Sequence, residues 1–211
     1  MVIVGYINVN DVMLDFEELK LYKKYLNTIQ FYLDKYFEDQ KEYICCQKGC
    51  AYCCQKGMYP YSRLEFDYLM IGFFKIDLKE QQAVIKRIQA LKKEYEAFEN
   101  KDKFMHRCPF LSDENICTVY NYRGLICRTF GLLKLNAEEE IIMPFCQSLG
   151  LNYSKVYNRE KKMLDVELVQ KHGYKRTPKA YDLSFKTLMN KDLFQDAKIE
   201  FGDIKSLIEW L

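Results

Sequence analysis

Five of the chain's nine cysteines fall within ten consecutive positions, as Cys45, Cys46, Cys50, Cys53 and Cys54. Such close neighbours rarely meet disulfide geometry, and the loops they would close are too short to restrict the unfolded chain much. Crowded thiols serve better as metal ligands, since several soft sulfur donors on a short irregular loop can converge on one centre. The N-terminus, MVIVGYINVN, lacks the basic and long apolar regions of a secretory signal. No run approaches the roughly 18 apolar residues that a membrane span needs. The expected setting is therefore the cytoplasm, where thiols stay reduced and metals compete for them. A net charge of +2 over 211 residues leaves no electrostatic footprint for nucleic acid. With 49% apolar residues the chain can build a real core.

The first group reads Cys46-Gln-Lys-Gly-Cys50-Ala-Tyr-Cys53-Cys54. The second reads Cys108-Pro-Phe-Leu, Cys117-Thr-Val-Tyr, Arg123, Cys127-Arg128-Thr-Phe130 and finally Cys146. Thiols two or three residues apart on a turn can share a centre, as in zinc knuckles and iron–sulfur loops. Vicinal side chains diverge, by about 100° on a helix or to opposite faces of a strand, so Cys53 and Cys54 should not both reach one small tetrahedral site. They point to a polynuclear cluster or to two nearby centres. The expected ligands lie among the thiols of these two groups. Arg123 and Arg128 can offset the negative charge of thiolate sites and donate hydrogen bonds to sulfur. Phe110, Tyr120, Phe130 and Phe145 are candidates to wall the site from water. His106, two residues before Cys108, is a candidate further ligand, with a core histidine as its plainer role.

Hydrophobic spacing predicts a mainly α fold: a helical scaffold carrying an irregular cysteine module with a few short strands. Leu19, Tyr22, Leu26, Ile29, Leu33 and Tyr36 make a helical seam over about 11–42. Ser62 with Glu65 is a capping-box signature opening one helix, and Asp77 with Glu80 opens another, striped by Ile85, Ile88, Leu91, Tyr95 and Phe98. Folded back as a hairpin, those two helices would bring the cysteine groups together. Short strands are expected at 116–120 and 132–135. The division expected is an N-terminal helical segment (1–44), a cysteine domain (45–150) and a helical extension (151–211) whose last helix, capped by Asp203, ends at Trp210.

The run Cys50-x-x-Cys53-Cys54, Glu65, Cys108-Pro-Phe-Leu, Cys117-x-Val-Tyr120, Arg123 and Cys127-Arg128-x-Phe130 resembles the YkgJ family of cysteine-cluster proteins, over about 45–150. That resemblance implies an eight-cysteine, zinc- or iron-chelating domain whose ligands are Cys46, Cys50, Cys53, Cys54, Cys108, Cys117, Cys127 and Cys146, with Cys45 spare. Two positions depart from the family pattern: three residues, not two, separate Cys46 from Cys50, and Gly124 stands where the family favours proline, which predicts a looser turn. The vicinal pair and the number of thiols favour an iron–sulfur cluster, of the 4Fe–4S kind, over zinc, with a structural, metal-handling or electron-transfer role. The competing reading is an enzyme. Cys46-x3-Cys50-x-Tyr52-Cys53 is similar to the cluster motif of radical S-adenosylmethionine enzymes, and relatives of the family resemble flagellin lysine N-methylases, which implies a protein substrate. No Gly-x-Gly-x-x-Gly is present to encode a doubly wound methyltransferase site.

Overall fold

Apolar residues recurring every three or four positions can be buried together only on one side of a helix, and they make α1 (Phe16–Gln40). Leu19, Tyr22, Leu26, Ile29 and Leu33 are all buried along it, with Tyr36 half-buried. The structure is a computed structural model that describes residues 16–47, 49–136, 138–190 and 199–211, so the expected helix start at 11–15 lies outside the described residues. The remaining helices are α2 (Tyr52–Gln55), α3 (Arg63–Lys75), α4 (Leu78–Ala97), α5 (Leu125–Thr129), α6 (Val166–Lys171), α7 (Phe185–Leu188) and α8 (Leu207–Trp210). The strands are β1 (Pro60–Ser62), β2 (Lys134–Leu135), β3 (Ile141–Ile142), β4 (Tyr157–Asn158), β5 (Met163–Leu164), β6 (Tyr181–Asp182) and β7 (Ile204–Ser206). The fold is mainly α with a few short strands. Among the described residues, no helix is long and apolar enough to cross a membrane.

Both helix-start signals hold. The Ser62 hydroxyl accepts from the Glu65 amide while the Glu65 carboxylate accepts from the Ser62 amide, and Asp77 caps α4 through the Glu80 amide. The α4 stripe is shifted from expectation: Val84, Ile88 and Leu91 are buried, whereas Phe98 is exposed. Residues 116–120 form no strand. Cys117 instead makes an isolated antiparallel bridge with Leu111, and Asn115 turns the corner between them at φ 60°, a conformation that asparagine tolerates. Beyond 150 the described residues form turns, short strands and the three short helices α6, α7 and α8, in place of the continuous helical extension expected. Its last helix is capped by Ser206, and Asp203 lies upstream, its carbonyl accepting from the Arg63 amide.

The chain divides into two compact units. One comprises Met1–Tyr25, Cys54–Cys127 and Asp196–Leu211. In it β1 pairs antiparallel with β7, Tyr61 opposite Lys205, and Trp210 donates from its indole to the Tyr61 carbonyl at 2.9 Å. Tyr22 packs edge-on against Tyr68, and Leu91, Phe104 and Ile208 form a smaller apolar cluster. The other unit comprises Leu26–Cys53 and Arg128–Gln195. Its core is Tyr43, Leu133, Tyr153, Val156, Leu164 and Val169. Gln40, fully buried, holds it together: its side chain donates to the Lys179 carbonyl and accepts from the Leu133 amide and the Tyr153 hydroxyl.

Candidate metal centre

The two cysteine groups of the sequence are not the two groups of the structure. In the first unit Cys54 joins Cys108, Cys117 and Cys127. Backbone pairing brings them together: Gly57 and His106 form an antiparallel bridge, and two residues on, the Cys108 amide donates to the Cys54 carbonyl at 2.8 Å. The Leu111–Cys117 bridge then folds Cys117 back. Burial pushes the Cys108 thiol well above its ordinary value, and negative charge on Cys127, Cys117 or Cys54 would push it further. Burial likewise drives Cys127 up to about 12, with Cys54 and Cys117 adding to the effect. Each thiol therefore opposes ionisation of its neighbours, and a nearby cation or a hydrogen bond to sulfur works the other way.

Cys127 reaches this set on α5, and the placement of α5 comes from two buried side chains. Glu65 is fully buried; besides closing the capping box, its carboxylate accepts from the Leu125 amide at 2.7 Å, at the first residue of α5. The Tyr61 hydroxyl lies 3.4 Å from Cys127 Sγ and accepts from the Gly124 amide at 3.1 Å. These contacts correct the expectation of a loose turn at Gly124. A Cβ there would lie 2.7 Å from the Tyr61 ring, and a proline would lack the amide that Tyr61 accepts from. Arg123 stacks over Tyr120 with its carbon 3.5 Å from the ring centre, and its charge favours ionised Cys117 and Cys127. Arg128 belongs to the other unit and donates to Gln30 at 2.9 Å.

In the second unit Cys46, Cys50 and Cys146 come together, and Cys53 belongs to the same unit. Gly49, at φ 89°, lets the chain turn between Cys46 and Cys50, which accommodates the extra residue of that spacing. Cys146 is buried in a short helical turn, Phe145–Leu149, and its thiol is pushed up to about 11, chiefly by burial and then by Cys46 and Cys50. Asn152, almost wholly buried, donates to Cys46 Sγ at 3.2 Å and to the Gly131 carbonyl at 3.1 Å. Gly131 has φ 94°, and a Cβ on it would stand 2.8 Å from Cys46 Sγ. Gly131→Ala should therefore cost this set its metal while sparing the Cys108 set, as metal content per chain will show.

Tyr61, Asn152 and Gly131 carried no signal in the sequence, because each acts on a thiol far away along the chain. Two of the expected walls fail: Tyr120 is 58% exposed and Phe145 47% exposed, whereas Phe110 is buried and Phe130 half-buried. Tyr120 is drawn outward as the platform for Arg123, and Phe145 sits at the start of a surface turn. The His106 ring packs between Tyr59 and Phe104, and its Nδ1 meets the Arg107 carbonyl. It takes the core role.

The donors suit zinc or iron, which accept four thiolates. Among the described residues, no three Cys, His, Asp or Glu side chains already share a point where a single ion would be held. With that geometry in view, residues 45–147 match the model of the CxxCxxCC family, described as a "putative zinc- or iron-chelating domain". The cysteine-rich segment is similar to that family. Comparison with curated proteins and with solved structures gives no match. The match supports metal binding by this segment.

Metal-free protein should behave distinctively in alkali. Two of its thiols ionise less readily folded than unfolded, rising from an ordinary value near 9 to about 11 for Cys146 and about 12 for Cys127. The stability this confers is complete below pH 9 and is lost as pH climbs through 11 and 12. Urea midpoints of the metal-free chain should hold at neutral pH and fall across that window, and Cys127→Ser should show a smaller fall.

Proposed function

We propose that the eight thiols other than Cys45 hold two metal centres, one within each unit, and that these are iron–sulfur centres of the 4Fe–4S kind with a structural or electron-transfer role. One set is Cys54, Cys108, Cys117 and Cys127; the other is Cys46, Cys50, Cys53 and Cys146. The observation that carries this reading is the sorting of the thiols. Cys54, Cys108, Cys117 and Cys127 arrive from separate stretches of chain and feel one another's charge. The division of the chain into units runs between the vicinal residues Cys53 and Cys54, in keeping with the divergence of neighbouring side chains on α2.

Iron–sulfur is favoured over zinc by the vicinal pair and by the number of thiols. Four ligands of one zinc lie about 2.3 Å from a common point. The vicinal pair Cys53–Cys54 diverges on α2, which suits a polynuclear group, and in a cubane each cysteine bonds a different iron. When bound, the group would supply either cross-linking or a one-electron redox couple. The chain's own residues supply the environment: Arg123 offsets thiolate charge, Tyr61 stands beside Cys127, and Phe110 contributes buried apolar surface.

Purification without air, followed by iron, sulfide and zinc analysis and visible absorption, tests this. Brown protein with equal iron and sulfide is the expected result. Colourless protein carrying zinc would keep the thiolate ligation and reject the cluster.

A further inference from the structure

Tyr61 is 2% exposed, and every part of it is held. Its backbone is paired in β1, opposite Lys205 of β7, and its carbonyl accepts from the Trp210 indole at 2.9 Å. Its ring lies so close to Gly124 that a Cβ there would stand 2.7 Å from a ring carbon. The phenol oxygen accepts from the Gly124 amide at 3.1 Å and lies 3.4 Å from Cys127 Sγ. A phenol has one hydrogen to give. Among the described residues, the Cys127 sulfur is the partner within its reach.

Between a free thiol and a phenol, either atom can be the donor. A thiolate bonded to metal has no proton, so the bond then runs one way, from the Tyr61 oxygen to the sulfur. We propose that Tyr61 tunes the Cys54, Cys108, Cys117 and Cys127 centre, donating an O–H···S hydrogen bond to the Cys127 ligand that raises the centre's reduction potential. The proposal rests on the two-centre, iron–sulfur reading above. An added electron increases the negative charge on the sulfurs, and a hydrogen bond to sulfur strengthens as that charge grows. The reduced state therefore gains more from Tyr61 than the oxidised state does. Burial heightens the difference, because a hydrogen bond away from water is electrostatically stronger. Tyr61 acts through Cys127, as a positioning residue and not as a ligand.

The test is a redox titration of the full chain, purified without air and followed by electron paramagnetic resonance. Cys46→Ser removes a ligand of the other set and so identifies the signal of the Cys127 centre. Tyr61→Phe should shift the one-electron equilibrium against reduction about tenfold, lowering the midpoint potential of that signal by ~59 mV. The signal of the other set should stay where it is. Tyr61→Phe also orphans the Gly124 amide, so Tyr61→3-fluorotyrosine supplies a second comparison. It keeps the phenol oxygen in place and makes the hydroxyl a stronger donor, so the same potential should rise. That variant decides the matter where Tyr61→Phe purifies without iron in this set. An unmoved potential in the fluorotyrosine chain, or in an iron-loaded Tyr61→Phe chain, would leave Tyr61 a prop for Gly124 and overturn the proposal. A wild-type chain that carries zinc and gives no redox signal would instead overturn the iron–sulfur reading, and the proposal with it.

Discussion

Glu65→Ala should unfold at a markedly lower temperature than the wild type and should purify with the Cys108 set depleted of metal. The carboxylate is fully buried and accepts from two amides, Ser62 at the start of α3 and Leu125 at the start of α5. Truncation orphans both donors, and a buried donor left unpaired costs about 1–3 kcal/mol. Domains have only about 5–15 kcal/mol in hand, so a loss of several kcal/mol is large. Glu65→Gln provides the discriminating comparison. An amide oxygen can replace one of the two acceptors but not both, so its loss should fall between wild type and Glu65→Ala. If Glu65→Ala retained full metal content with only lowered stability, Glu65 would be a helix cap with no part in placing Cys127.

The second large effect is expected from Cys127→Ser. A serine hydroxyl is a hard, weakly acidic donor where iron or zinc needs soft thiolate. Apparent binding energies of structural zinc sites run to about 10–16 kcal/mol at neutral pH, and metal-driven folding energy disappears with the ligand. Cys127→Ser should therefore lose the metal of its own set and a large part of the thermal stability, while the Cys146 set keeps its metal. Cys45→Ser should change neither quantity. The comparison separates a ligand from a thiol that merely lies nearby, by metal content and melting temperature measured together.

Local signals carried far into the structure. The α1 seam needs only regular spacing to be recognised, and all its leading members are buried. The Ser62–Glu65 capping box is three residues long and forms as written. The cysteines, Arg123 and the CxxCxxCC family were legible for the same reason: residue types and short spacings carry them. Partition of the thiols was not legible, because it depends on pairings such as Gly57 with His106, 49 positions apart in the numbering. Gly124 illustrates the limit. In sequence it reads as a lost proline and a slack turn, whereas two distant side chains, Tyr61 and Glu65, make it a tight one. Glu65 was visible as a cap, but its second bond, to Leu125, has no local signature. The tail misled for a related reason: its apolar residues serve a core shared with Tyr43 and Leu133, and so need no helical period of their own.

The most direct measurement of the two-centre account is metal per chain in anaerobically purified wild type, Cys54→Ser, Cys46→Ser and the double variant. Each single variant should hold half the wild-type iron and sulfide, and the double variant none. A single substitution that strips all metal would mean one shared centre, and the sorting of thiols by unit would be wrong.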